Sequence, residues 1–137
     1  MSRMIFVNLP VADLAKATAF YEAIGLTKNQ QFSDETSASM ILSDTIIVAL
    51  LTHAKWHMFT SRPIAPATSS EVMLAVSCDS RDAVDAMNQA AATHGGTVDI
   101  NPVQDLGFLY NRSFADLDGH VWEAMWMDMA AADGATG

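Results

Sequence analysis

The sequence predicts an α+β fold of two modules with the same element order, each laying a helix on one face of a strand layer. Three observations carry that prediction. Apolar runs of strand length are interrupted by two segments of helical periodicity. In both halves, the helical segment follows one strand and precedes several more. Between the halves, 60–70 holds two prolines and several Ser and Thr residues, a composition suited to a linker.

The first module opens with an apolar run, 4–9, read as a strand stopped by Pro10, which cannot donate to a ladder. Asp13 is placed to cap a helix whose apolar positions Ala17, Phe20, Tyr21 and Ile24 fall on one face. Gly25 supplies its stop. A strand over 36–43 alternates Ala38, Met40 and Leu42, and Ser43-Asp44 turns into an apolar β-branched strand over 45–52.

The second module repeats this order. A strand over 71–78 leads to Asp79 or Ser80 as helix cap, with Val84, Met87 and Ala91 on one helical face and Gly95-Gly96 at the end. Strands follow over 97–100, 107–115 and 120–128, the last two joined by an Asp118-Gly119 turn. The expected organisation is one domain over 1–128: module 1 over 1–59, linker 60–70, module 2 over 71–128, and a flexible tail over 129–137. A helix on one face of each sheet leaves the other face open, and two such modules side by side can curve into a cup.

Composition narrows the function. Half of the 137 residues are hydrophobic and 17% charged, enough apolar material for one core. Net charge is −9, and the few cations are scattered, which argues against nucleic acid as partner. The longest apolar stretch, 46–51, is far too short to cross a bilayer, and 1–7 does not resemble a signal peptide. The lone Cys78 cannot form an internal disulfide; it reads as a small strand-end residue. These features predict a cytoplasmic protein with no membrane partner.

Two blocks carry a family resemblance. Leu9-Pro10-Val11-Ala12-Asp13-Leu14 followed by Phe20-Tyr21-Glu22-Ala23-Ile24-Gly25-Leu26 resembles the opening of the vicinal-oxygen-chelate superfamily, which includes glyoxalase I, the bleomycin-resistance proteins and the extradiol dioxygenases. The stretch from Phe114 through Asp116-Leu117-Asp118-Gly119 to Glu123 resembles its closing motif. The resemblance implies two βαβββ modules forming a curved, cup-like mixed sheet. In metal-dependent members the cup holds a divalent ion bound by side chains on four strands, which acts as a Lewis acid.

Carried over residue by residue, the four ligand positions fall on Phe6, on Ala49 or Leu50, on Glu71 and on Glu123. Two of these are apolar, so the resemblance implies no catalytic metal, with a divalent ion on Glu71 and Glu123 as the alternative. Asn8 shares the strand face of Phe6 and is a polar cavity-wall residue or a weak oxygen ligand. Glu123 falls on a strand face with Val121, Met125 and Met127, where a carboxylate suits a general acid or base; pairing with Arg112 is the structural alternative. Tyr110 and Arg112 share a face with Phe108 and Phe114, a wall for a ring-bearing or acidic ligand, or else core plus a salt bridge. His53 and His57 have metal-binding spacing but no third ligand, and read as a solvated turn.

The expected function is binding of a small organic molecule, as in bleomycin-resistance proteins, which use this fold as dimers without a catalytic metal. A lyase, isomerase or dioxygenase resembling glyoxalase I, acting through Glu123, is the alternative. A homodimer is expected in either case.

Overall fold

A computed structural model describes residues 2–130. The expected tail therefore lies outside the described residues from 131 onward. Module 1 contains β1 (Ile5–Val11), α1 (Leu14–Ala23), β2 (Thr27–Lys28), β3 (Ser37–Ser43) and β4 (Ile46–Thr52). A short helix α2 (His53–Phe59) follows, then irregular chain. Module 2 contains β5 (Met73–Ser77), α3 (Arg81–Thr93), β6 (Thr97–Val98), β7 (Gln104–Asp105), β8 (Leu109–Ala115) and β9 (Val121–Met127).

The fold is mixed α+β with two open mixed sheets, ordered β1-β4-β3-β2 and β5-β9-β8-β6, with β7 added against β8. In each sheet the first strand runs parallel to the last strand of its module, and the other pairs are antiparallel. The modules thus share one topology, although β7 is an addition to the second.

Local sequence explains the ends of the elements. The Asp13 carboxylate accepts from the Lys16 amide at the start of α1. Ser80, not Asp79, caps α3, accepting from the Ala83 amide. Pro10 does not stop β1, which continues to Val11. β1 is an edge strand bonded only to β4, so a missing N–H on its free side costs no ladder bond. The stretch 53–59 is a helix and not a turn, because the Thr52 hydroxyl caps it by accepting from the Lys55 amide.

α1 and α3 pack on the same side of the two sheets and share one core. Phe20, Tyr21, Met40, Val48, Val84 and Phe114 are all fully buried in it. Three polar ties join the modules. Asp118 Oδ1 accepts from the Ala12 amide at 2.9 Å. His120 Nε2 lies 2.8 Å from the Pro10 carbonyl and must carry the proton, since a carbonyl only accepts. The Tyr21 hydroxyl donates to Asp116 Oδ2 at 2.5 Å while accepting from the Trp122 indole at 3.0 Å. Burial pushes the Asp116 carboxyl up, and burial together with Asp116 pushes the Tyr21 phenol well above its usual value. At Gly119, φ is +89° and a Cβ would stand 2.4 Å from the Ala67 carbonyl oxygen, so only glycine lets 60–70 lie over this turn.

No helix among the described residues is long and apolar enough to cross a membrane.

Candidate functional site

Strand alternation gives each sheet a face turned away from α1 and α3. In module 1 the parallel register sets Phe6 beside Ile47 and Asn8 beside Ala49. These four share the open face with a cavity of about 260 Å³, whose wall also includes Phe32 and Phe59. Lys55, on α2, is the one charged side chain in that wall among the described residues. Its ammonium stands 5.6 Å from the Phe59 ring centroid. A second cavity, about 280 Å³, takes its walls from both modules, including Asn8, Trp56, Arg62, Glu71 and His120. A third, about 480 Å³, lies against the open face of module 2 at Met73, Asn101 and Val121.

Glu123 stands on that open face, half-buried, beside Val121 and Met125. Asn111, on the neighbouring strand, donates from Nδ2 to Glu123 Oε2 at 2.9 Å. Ser113, directly opposite Glu123 in the ladder, is buried and accepts from the Asn101 amide. Glu123 makes no ion pair among the described residues. It is in the wall of none of the three cavities, but Val121, two residues before it, lines the third.

The structure separates several residues that the sequence groups with this site. Leu50 is fully buried on the helix side, and Ala49 takes the open face in its place, because one step along a strand reverses the side chain. Tyr110 and Arg112 also point to the helix side. The Tyr110 hydroxyl donates to Asp85 on α3 at 2.7 Å, and Arg112 pairs with Asp85 and, through two nitrogens, with Asp99. The Asp99 bonds hold the Arg112 guanidinium firmly protonated. The ion-pair alternative for Arg112 therefore describes the geometry, though its partners are aspartates and not Glu123. Glu71 lies two residues before β5 and is exposed. Ala75 is the β5 residue paired with Glu123, so Glu71 stands four residues up the chain, on the order of 13 Å away if extended.

A metal is a poor match for this donor set. Of the positions implied by the resemblance, Phe6 and Ala49 offer no donor and Glu71 is displaced from Glu123. Among the described residues, no three His, Cys, Asp or Glu side chains come together as a metal site would require. His53 and His57 are both exposed on α2.

The match to protein-family models decides the affiliation. Residues 3–124 match the model of the Glyoxalase/Bleomycin resistance protein/Dioxygenase superfamily. The chain belongs to this superfamily. Solved structures agree on the fold. A hypothetical protein from S. aureus superposes with TM-score 0.77 at 23% identity, covering 92% of this chain and 94% of that one. A glyoxalase/bleomycin resistance protein/dioxygenase family enzyme from Burkholderia phytofirmans gives 0.76 at 16% identity, covering 92% and 99%. A fosfomycin resistance protein from Listeria monocytogenes gives 0.64 at 18%, covering 92% and 91%. No curated protein matches the chain in sequence. At these identities the superfamily protein shares an architecture with its neighbours; its chemistry must be read from its own residues.

Sequence reasoning missed Lys55, Phe32 and Phe59. Phe32 ends a 3-10 turn in a stretch assigned no element from sequence, and Phe59 ends α2, whose start was expected to be a solvated turn. Thr52, three residues before Lys55, was the available signal: a hydroxyl residue placed to cap a helix.

Proposed function

We propose that this superfamily member binds a small organic molecule on the open faces of its sheets, without a resident catalytic metal, and that Glu123 anchors the ligand. The observation that carries the reading is Glu123 itself. It is a half-buried carboxylate in a row that β9 otherwise builds from Val121, Met125 and Met127, steadied on one oxygen by Asn111 of the neighbouring strand. A polar group at such a place is better explained by a ligand than by packing. The second cavity, walled by both modules, supports treating 1–128 as one functional unit. The single cysteine fits work in the reducing cytoplasm.

The open faces also expose large apolar side chains, Phe6 at 60% and Met73 at 52%. A second copy of the chain is the cover this reading assigns to part of that surface. The purified protein is then a homodimer carrying no stoichiometric transition metal. Light scattering that reports a monomer at micromolar concentration removes the dimer. Elemental analysis that finds about one Ni, Zn, Fe or Mn per chain removes the metal-free reading and favours a glyoxalase-like enzyme.

Glu123→Gln tests the site directly, since it keeps the shape and removes the charge. A thermal-shift screen of small organic molecules identifies a binder of the wild-type protein. The variant is expected to bind it about tenfold more weakly, the loss typical of a charged hydrogen bond, with its melting temperature nearly unchanged. If the variant melts several degrees earlier and binds equally well, Glu123 is structural and the assignment fails. A lyase, isomerase or dioxygenase acting through Glu123 as base predicts in addition that turnover is lost.

A further inference from the structure

We infer that the cup on module 1 takes a flat aromatic molecule carrying one anionic group, with the ring against Phe6, Phe32 and Phe59 and the anion on Lys55. This deepens the small-molecule reading above and rests on it, but uses a different wall from Glu123.

Three observations point the same way. The floor is Ala49, the smallest side chain on that part of β4, so a ring can approach the sheet closely. Three phenyl rings line the wall, each at least 60% exposed, an unusual state for phenylalanine unless something covers it. Lys55 makes no salt bridge among the described residues. Asp34 is close enough to sense its charge but forms no ion pair with it, and the Thr36 amide, the Thr36 hydroxyl and the Ser37 amide all bond the one oxygen Oδ1 of that carboxylate. The ammonium therefore keeps donors for an incoming anion, held by its ring contact with Phe59. Asn8 and Ser39 add neutral polar groups to the same wall. A net charge of −9 repels anions at long range, so acceptance of one here depends on this local cation against an apolar wall.

The test is calorimetric titration of the full chain with 2-naphthoate and with its neutral analogue 2-naphthamide. The acid is expected to bind roughly tenfold more tightly than the amide, as a charge-assisted hydrogen bond allows. Lys55→Gln removes that preference, Lys55→Arg keeps most of it, and Ala49→Phe, which fills the floor, abolishes binding of both. Circular dichroism melting confirms that each variant is folded. Equal binding of acid and amide overturns the proposal, as does a preference that survives Lys55→Gln, or binding indifferent to Ala49→Phe. Failure of naphthoate to bind at millimolar concentration overturns it too. If in that case Ala49→Phe also splits a dimer in sedimentation, the cup is an interface between copies. The acid–amide comparison turns on Lys55 and Ala49 alone, whereas the Glu123→Gln comparison uses a ligand from the thermal-shift screen, so loss of this proposal and loss of the Glu123 reading are separate outcomes.

Discussion

Phe114→Ala is expected to lower stability by about 3–5 kcal/mol, the usual cost of removing a fully buried aromatic ring. Phe114 lies on the helix side of β8 and has no exposed surface. Its ring centroid is 6.1 Å from that of Phe20, which belongs to α1 of the other module. The hole would therefore open between the modules and not inside one of them. Because both helices share one core, the whole transition should shift as a single step in urea denaturation. A loss under about 1 kcal/mol would show that the core collapses to fill the space. A second transition appearing at lower urea would show that the modules unfold separately.

Tyr21→Phe is expected to cost on the order of 3 kcal/mol at neutral pH, because one missing hydroxyl leaves two buried partners unsatisfied. The Trp122 indole loses its acceptor and Asp116 Oδ2 loses its donor. The sign of the pH dependence follows from Asp116. Burial already raises its folded pKa above the ordinary value of 3.8, while the Tyr21 hydrogen bond pulls it back down. A carboxyl with a raised folded pKa opposes folding as pH rises through that value, since the buried form prefers its proton. Without the hydroxyl the folded pKa rises further, so the variant should be closest to wild type near pH 4 and furthest from it above pH 7. Urea titrations of both proteins at the two pH values give the comparison. An equal deficit at both would show that the hydroxyl does not influence the charge on Asp116.

The pair between Arg81, at the start of α3, and Asp105, on β7, behaves oppositely. Arg81 bonds Asp105 through two nitrogens and lies over the Tyr110 and Trp126 rings. Those bonds pull the Asp105 carboxyl down to about 2. Its contribution is present above the unfolded value near 4 and fades as pH falls toward 2. Because the pair is well exposed, that contribution is small.

The two motif blocks that carry the family resemblance lie about a hundred residues apart, yet they meet in the fold. Pro10 and Ala12 are bonded to His120 and Asp118, and Tyr21 joins Asp116 to Trp122. Much of what these motifs encode is therefore the seam between modules. That explains why they announce the architecture clearly and the reaction hardly at all.

The sequence by itself determined the two-module order, the helix cap at Asp13, the turn before β9 and the grouping of Glu123 with Val121 and Met125; for the second helix it narrowed the cap to Asp79 or Ser80. Each depends on period, capping or turn chemistry within a few residues, and such information is local. Only the tertiary structure decided which face of β8 is open. Tyr110, Arg112 and Phe114 do share one side of β8, with Phe108 in the bend before it, but alternation cannot say whether that side meets α3 or a ligand. The Asp85 and Asp99 contacts settle it. The same holds on β4, where Leu50 and Ala49 exchange roles with a one-residue step in register against β1. Glu71 left the site because β5 begins two residues later than its apolar run suggests. Lys55 entered because α2 folds back along the open face of module 1. Periodicity tells which residues point together; only packing against a distant element tells what they point at.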